Sequence, residues 1–130
     1  MPITEEATAQ TVAEYFAALR AMDADRWIAT FAPDATSNDP VGTPPLHGHE
    51  ALRAFATGMF SLFSAVGLIE NNVFLAGNTA AVKWTGKGKG KNGATVTFEG
   101  IDVITVDDSG KIILVNAYWD PAPVMSVIQR

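Results

Sequence analysis

Near residue 65 the apolar residues of this chain change from a helical period to an alternating one. Before that point Val12, Tyr15, Phe16, Leu19 and Met22 recur at intervals of three and four, and Leu52, Phe55, Met59, Leu62 and Phe63 do so again. That spacing puts side chains on one face of a helix. After it, Ala80, Val82, Trp84 and Gly86 alternate with Thr79, Ala81, Lys83, Thr85 and Lys87. Ala94, Val96, Phe98, Gly100, Asp102, Ile104 and Val106 alternate in the same way with Thr95, Thr97, Glu99, Ile101, Val103 and Thr105, which is the period of a strand. Helices first and strands second point to an α+β fold, with the helices covering one face of a curved, mostly antiparallel sheet. At 130 residues the chain is read as a single domain, 1–130, with a core of its own.

Local signals set the expected boundaries. Thr4 or Thr8 can cap the first helix, with Glu5 and Glu6 near its positive end. Asp23 or Asp25 starts a short second helix that turns Trp27, Ile28 and Phe31 inward and is expected to end at Pro33. A short strand over 35–38 follows, then a third helix over 49–63 and a strand over 65–75 ended by Gly77-Asn78. Asn92-Gly93 marks a hairpin, and Asp107-Asp108-Ser109-Gly110 marks a second turn. The last strand is predicted over 111–119, with Asp120-Pro121-Ala122-Pro123 stopping it.

Several function classes are excluded or disfavoured by composition. A net charge of −5 argues against nucleic acid as a partner, and Lys83, Lys87, Lys89 and Lys91 read as the solvated side of a strand and its turn. No apolar run is long enough to span a membrane, and the first residues lack the pattern of a signal peptide. Zero cysteines remove disulfide and thiol chemistry and fit a cytoplasmic protein. His47 and His49 are the two histidines; neither is expected on a strand, no metal site is expected, and His47 reads as a tie for the neighbouring loop.

Three polar groups stand out. Asp39 lies in the stiff segment from Asn38 to Glu50, next to Pro40, and is either an ordinary Asp-Pro turn or a carboxylate held in one direction. Tyr15 lies in the inner stripe of the first helix, where its hydroxyl needs a partner, which could be a backbone carbonyl. Asp102 falls on the apolar face of its strand. Stranding a charge there costs several kcal/mol, to order of magnitude, unless the acid stays protonated, or a bulge at Gly100 turns it outward, or it makes a structural bond. The opposite strand face carries Ile101, Val103, Ile112 and Leu114, a patch suited to a second copy of the chain or to coverage by the tail, 124–128.

Together these residues resemble the bacterial steroid Δ5-isomerases (ketosteroid isomerases) of the NTF2-like, SnoaL-like superfamily. Glu14-Tyr15-Phe16 matches the helix bearing that family's oxyanion tyrosine. Asp39-Pro40-Val41-Gly42-Thr43-Pro44-Pro45-Leu46-His47-Gly48 resembles its segment with the proton-shuttling aspartate. Gly100-Ile101-Asp102-Val103 resembles the strand with its protonated aspartic acid, and Asn116-Ala117-Tyr118-Trp119 the last strand, whose Trp lines the steroid pocket. The similarity runs from about residue 8 to 119. Two positions depart from it: further tyrosines that support the oxyanion tyrosine in well-known members fall at Phe31 and Ala56 here.

The resemblance implies an NTF2-like cone and a cofactor-free homodimeric isomerase, joined through the outer sheet face, that acts on a small hydrophobic steroid. Tyr15 and protonated Asp102 would be donors to the oxyanion, and Asp39 the base carrying a proton from carbon 4 to carbon 6 of a 3-oxo-Δ5-steroid, the pattern ketosteroid isomerases are known for. Trp119, Phe55, Trp84, Phe98 and Val41 would contact the substrate. Two other readings compete: another cofactor-free enzyme on this scaffold, such as a polyketide cyclase or dehydratase, and a non-catalytic carrier of a hydrophobic ligand.

Overall fold

The computed structural model describes residues 2–130. Helix α1 (Glu5–Arg20) and the short α2 (Ala24–Ile28) lead into strand β1 (Phe31–Asn38) and the two-residue β2 (Leu46–His47). Helix α3 (Gly48–Ser61) follows, then β3 (Phe63–Ala76), β4 (Thr79–Gly90), β5 (Thr95–Val106), β6 (Ile112–Tyr118) and a last helix α4 (Pro121–Ile128). The strands form one sheet in the order β2-β1-β6-β5-β4-β3. All pairings are antiparallel except β1 with β6. The expected α+β arrangement is therefore present, with a sixth, two-residue strand and one parallel pairing added. No helix of the described residues is long and apolar enough to cross a membrane.

Caps fix the helix starts. The Thr4 hydroxyl accepts from the Ala7 amide at 3.1 Å, and the Asp23 carboxylate accepts from the Arg26 amide at 3.0 Å. The helix 3 boundary lies slightly earlier than expected, so Phe63 opens β3. Pro33 does not end α2, which stops at Ile28; it lies inside β1. The β1–β6 register jumps between Phe31 and Thr36, so Pro33 sits in an irregular stretch where no ladder N–H is required of it. The segment at 120–123 starts a helix as well as ending a strand: Asp120 accepts from the Ala122 amide at 3.1 Å and proline occupies the first turn, where its fixed φ suits the helix.

The core gathers the inner faces of all these elements, including Val12, Phe16, Leu52, Val82, Ile104 and Val115. Glycines give the sheet's inner face its hollow. A Cβ on Gly86 would meet the Phe98 ring at 2.6 Å, and one on Gly88 the Phe63 ring at 2.7 Å. At Gly100 it would lie 2.5 Å from the Trp84 ring, 2.7 Å from the Tyr118 carbonyl oxygen and 2.8 Å from the Trp119 Cβ. Large rings thus occupy the space where side chains are missing.

The outer face keeps Phe74, Ile101, Ile113 and Tyr118 exposed. Ile112, expected in this patch, is fully buried: the β5–β6 register shifts between Thr105 and Val106, and such a bulge re-aims the following side chain. The tail does not cover the outer face either, because α4 packs its Val124 and Ile128 against Phe63 and Phe98 at the inner end of the sheet. His47, expected off the strands, pairs with Thr36 in β2, and its Nδ1 lies 3.0 Å from the Thr36 hydroxyl.

The neighbour that Gly100 meets includes backbone, which cannot rotate away. Gly100→Ala should therefore destabilise the protein by about 1–3 kcal/mol, read as a lower denaturant midpoint. A midpoint equal to that of the wild type would show that the Trp84 and Trp119 rings are not wedged against this strand.

Candidate active site

The cavity lies between the inner sheet face and the helices. Its wall is mostly carbon: Leu19, Phe55, Met59, Phe60, Leu68 and Phe98 among others. Three oxygen-bearing side chains interrupt it, Tyr15, Asp39 and Asp102. A largely apolar hollow with a few converging polar groups is the usual form of a small-molecule site.

Tyr15 comes from the middle of α1 and is 2% exposed. Its ring is gripped by Phe16, Trp27 and Phe31, with centroids at 5.0, 5.7 and 5.9 Å. Among the described residues no backbone carbonyl accepts from its hydroxyl, so the structural bond considered from sequence is not made there. Burial, then the negative charge of Asp102 and Asp39, holds its pKa well above that of an ordinary phenol, while Trp27 works in the opposite direction. The group therefore stays a donor throughout the physiological range.

Asp39 stands one residue beyond β1, at a cis Asp39-Pro40 bond. The Pro40 carbonyl accepts from the Thr43 hydroxyl at 2.7 Å, and the Val41 amide donates to the Ala117 carbonyl at 2.8 Å, so the segment is stapled to β6. The indole Nε1 of Trp119 donates to Asp39 Oδ1 at 2.7 Å. Burial pushes the Asp39 pKa up to about 6 against the opposing pull of that N–H.

Asp102 pairs with Val82 on one side and Ala117 on the other, is 2% exposed, and faces inward with no bulge to release it. Trp84 Nε1 donates to its Oδ1 at 3.0 Å. Burial first, and then the charge of Asp39, raises its pKa to about 8, with Trp84 opposing. Near neutral pH the cavity thus holds one ionised carboxylate and one carboxylic acid.

Of the residues named from sequence as substrate contacts, Trp119, Phe55, Trp84 and Phe98 line the cavity. Trp84, Phe98 and Trp119 form a mutual cluster with centroids 5.7 to 6.3 Å apart. Val41 does not: it lies outside the lining and is 45% exposed, in the loop whose backbone is tied to β6 by the Val41 amide. Sequence reasoning missed Val124, which lies on the unexpected helix α4, and did not assign Trp27 to the site although both line it. Asp120-Pro121 with apolar residues at 124 and 128 was the available signal for the former. His47 and His49 are outside the lining; His49 Nε2 instead lies 2.9 Å from the Phe31 carbonyl oxygen.

The SnoaL-like domain family matches residues 12–115. A steroid Δ-isomerase from Nocardioides simplex is 30% identical over 114 residues, which is 88% of this chain and 90% of that protein. An NTF2-like protein of unknown function from Burkholderia pseudomallei superposes with a TM-score of 0.84 at 22% identity, over 95% of this chain and 98% of its own. SalBIII, an epoxide hydrolase/cyclase-like enzyme with a role in pyran ring formation in the polyether salinomycin, superposes with a TM-score of 0.82 at 25% identity, over 91% and 94%.

The raised pKa of Asp102 has a stability consequence with a definite sign. Between its ordinary value of 3.8 and about 8 the folded state holds a proton that the unfolded chain has released, so raising pH favours unfolding. Relative to Asp102→Asn, the wild type should lose stability steadily from pH 4 to 8, by at most about 1.4 kcal/mol per pH unit. Parallel denaturation midpoints for the two proteins across that range would mean that Asp102 ionises as freely as an exposed acid.

Proposed function

The chain belongs to the SnoaL-like family of NTF2-like folds, and within that family we propose that it is a steroid Δ5-isomerase. The observation that carries this reading is the convergence of two carboxyl groups, Asp39 and Asp102, and the Tyr15 phenol on one apolar cavity, where burial raises the proton affinity of all three and that of Asp102 above that of Asp39. Asp39, ionised, removes the proton from carbon 4 of a 3-oxo-Δ5-steroid. The electron pair of that C–H bond moves toward the carbonyl, giving a dienolate with its charge on oxygen. Tyr15 and protonated Asp102 donate to that oxygen, where donors in a water-poor site are most effective. Asp39 then returns the same proton to carbon 6, and the double bond ends in conjugation with the ketone. One base serves both transfers, so atoms and charge balance without a further reactant.

The similarity to the Nocardioides isomerase supports the substrate class, and the carbon wall supports a hydrophobic ring system. The likeness to SalBIII favours a second reading, cofactor-free ring closure with the same acid and base. A hydrophobic-ligand carrier is the weaker alternative, since storage gains nothing from a buried acid at 102 and a half-buried one at 39.

A spectrophotometric assay with 5-androstene-3,17-dione separates these readings. The wild type should form the conjugated enone, with activity rising as Asp39 ionises near pH 6 and falling as Asp102 loses its proton near pH 8. Asp39→Asn should lower turnover by about a hundredfold to ten-thousandfold while steroid binding persists. Wild-type binding without conversion would refute the isomerase.

The exposed outer face of Ile101, Tyr118 and Phe74 belongs, in this reading, to a homodimer contact. Ile101 lies on this exposed apolar face beside Tyr118, so Ile101→Lys should put a charge into the contact and yield single copies by sedimentation. A wild type that already sediments as a single copy would remove the dimer.

A further inference from the structure

One donor at the cavity has nothing to donate to. The indole Nε1 of Trp27 is sealed from solvent and has no hydrogen-bond partner among the described residues, in a side chain that is 1% exposed. Buried N–H groups are nearly always paired, so this one calls for an explanation. Trp27 reaches the site from α2, and its ring lies against Phe31 at 4.8 Å, Tyr15 at 5.7 Å and Phe55 at 6.5 Å. Of these three neighbours, Tyr15 alone carries an oxygen. Trp27 lies near enough to Tyr15 for its N–H to favour the ionised phenol against burial and two carboxylates, yet outside hydrogen-bond geometry.

A phenol oxygen has one proton to give and two lone pairs to receive with. When Tyr15 donates to a ligand oxygen in the cavity, negative charge builds on its own oxygen. An N–H behind that oxygen stabilises the charge and keeps the O–H turned toward the ligand, and bonds arranged in series strengthen one another. Phe16 and Phe31, the other rings around Tyr15, offer no such donor.

We propose that Trp27 is a positioning residue for Tyr15, its indole N–H donating to the phenol oxygen while Tyr15 donates to an oxyanion in the cavity. This rests on the reading of Tyr15 as an oxyanion donor, and it is independent of which reaction the oxyanion belongs to.

The test uses 4-nitrophenolate, a coloured anion with a phenolate oxygen, in the Asp39→Asn protein, where the cavity's own negative charge is removed and turnover plays no part. Trp27→Phe should weaken nitrophenolate binding about tenfold or more, the scale of a hydrogen bond to a charged group. In a Tyr15→Phe background the same change should have little effect. A role in packing alone would give equal losses in both backgrounds and would overturn the proposal. If Trp27→Phe does not fold, the three indole N–H signals of the chain's three tryptophans are followed by NMR with Trp27 intact. Tyr15→Phe should move the Trp27 signal, and an unmoved signal overturns the proposal. An Asp39→Asn protein that does not bind nitrophenolate removes the oxyanion role of Tyr15 and this inference with it. Loss of the isomerase reading alone, with the binding cycle intact, leaves the inference standing.

Discussion

Two carboxyl groups share one mostly apolar hollow, and they cannot both carry charge cheaply. Burial raises the proton affinity of each, and the charge on Asp39 raises that of Asp102 further. In a medium that screens poorly, the group that ionises first makes the second ionisation harder. The two acids are therefore held in different states over the interval between about 6 and about 8. Each also accepts one indole N–H, Asp39 at 2.7 Å and Asp102 at 3.0 Å. An N–H donor favours the carboxylate over the acid, so the shorter bond accompanies the acid that ionises more readily. The tryptophans temper the desolvation without reversing it.

The fold brings the two acids to one cross-section through Ala117. Its position on β6 pairs directly with Asp102 on β5, and its carbonyl receives the Val41 amide from the loop that carries Asp39. The parallel run of β1 beside β6 delivers that loop to the correct end of the strand. Ala117 itself is small and buried, 1% exposed. Across the sheet, Gly86 and Gly100 let Phe98, Trp84 and Trp119 lie against the inner face. A few positions without side chains thus decide where the rings, and with them the indole donors, can sit.

Much of this arrangement was legible in the sequence because it follows from period. Alternation alone placed Asp102 inward, and helical spacing alone placed Tyr15 in the inner stripe. What period could not supply depended on partners far along the chain. Ile112 is inward because the β5–β6 register slips by a residue near Thr105, a shift that no local pattern announces. Val41 sits in a loop tied by its amide to Ala117, 76 residues on, and stays exposed. Pro33 is tolerated in β1 because that stretch is unpaired. Helix α4 is different: its cap and its proline were visible at 120–123, but the same residues also end a strand, and the stop signal obscured the start.

The energetics of position 102 weigh on the choice between an enzyme and a carrier. A buried carboxyl that must release its proton only near pH 8 makes the folded state less stable at neutral pH than an apolar residue of similar size would. The single indole bond it receives could be made as well by an amide or a backbone carbonyl. A vessel for apolar ligands would lose nothing by replacing it, and would gain stability. Retaining the acid makes physical sense where its proton is used, as a donor to an oxygen on which charge develops. The same logic extends to Asp39, whose carboxylate is aimed into carbon-lined space that gives it no cation to pair with. Two unpaired acids held apart in proton affinity are costly as architecture and useful as proton-transfer machinery.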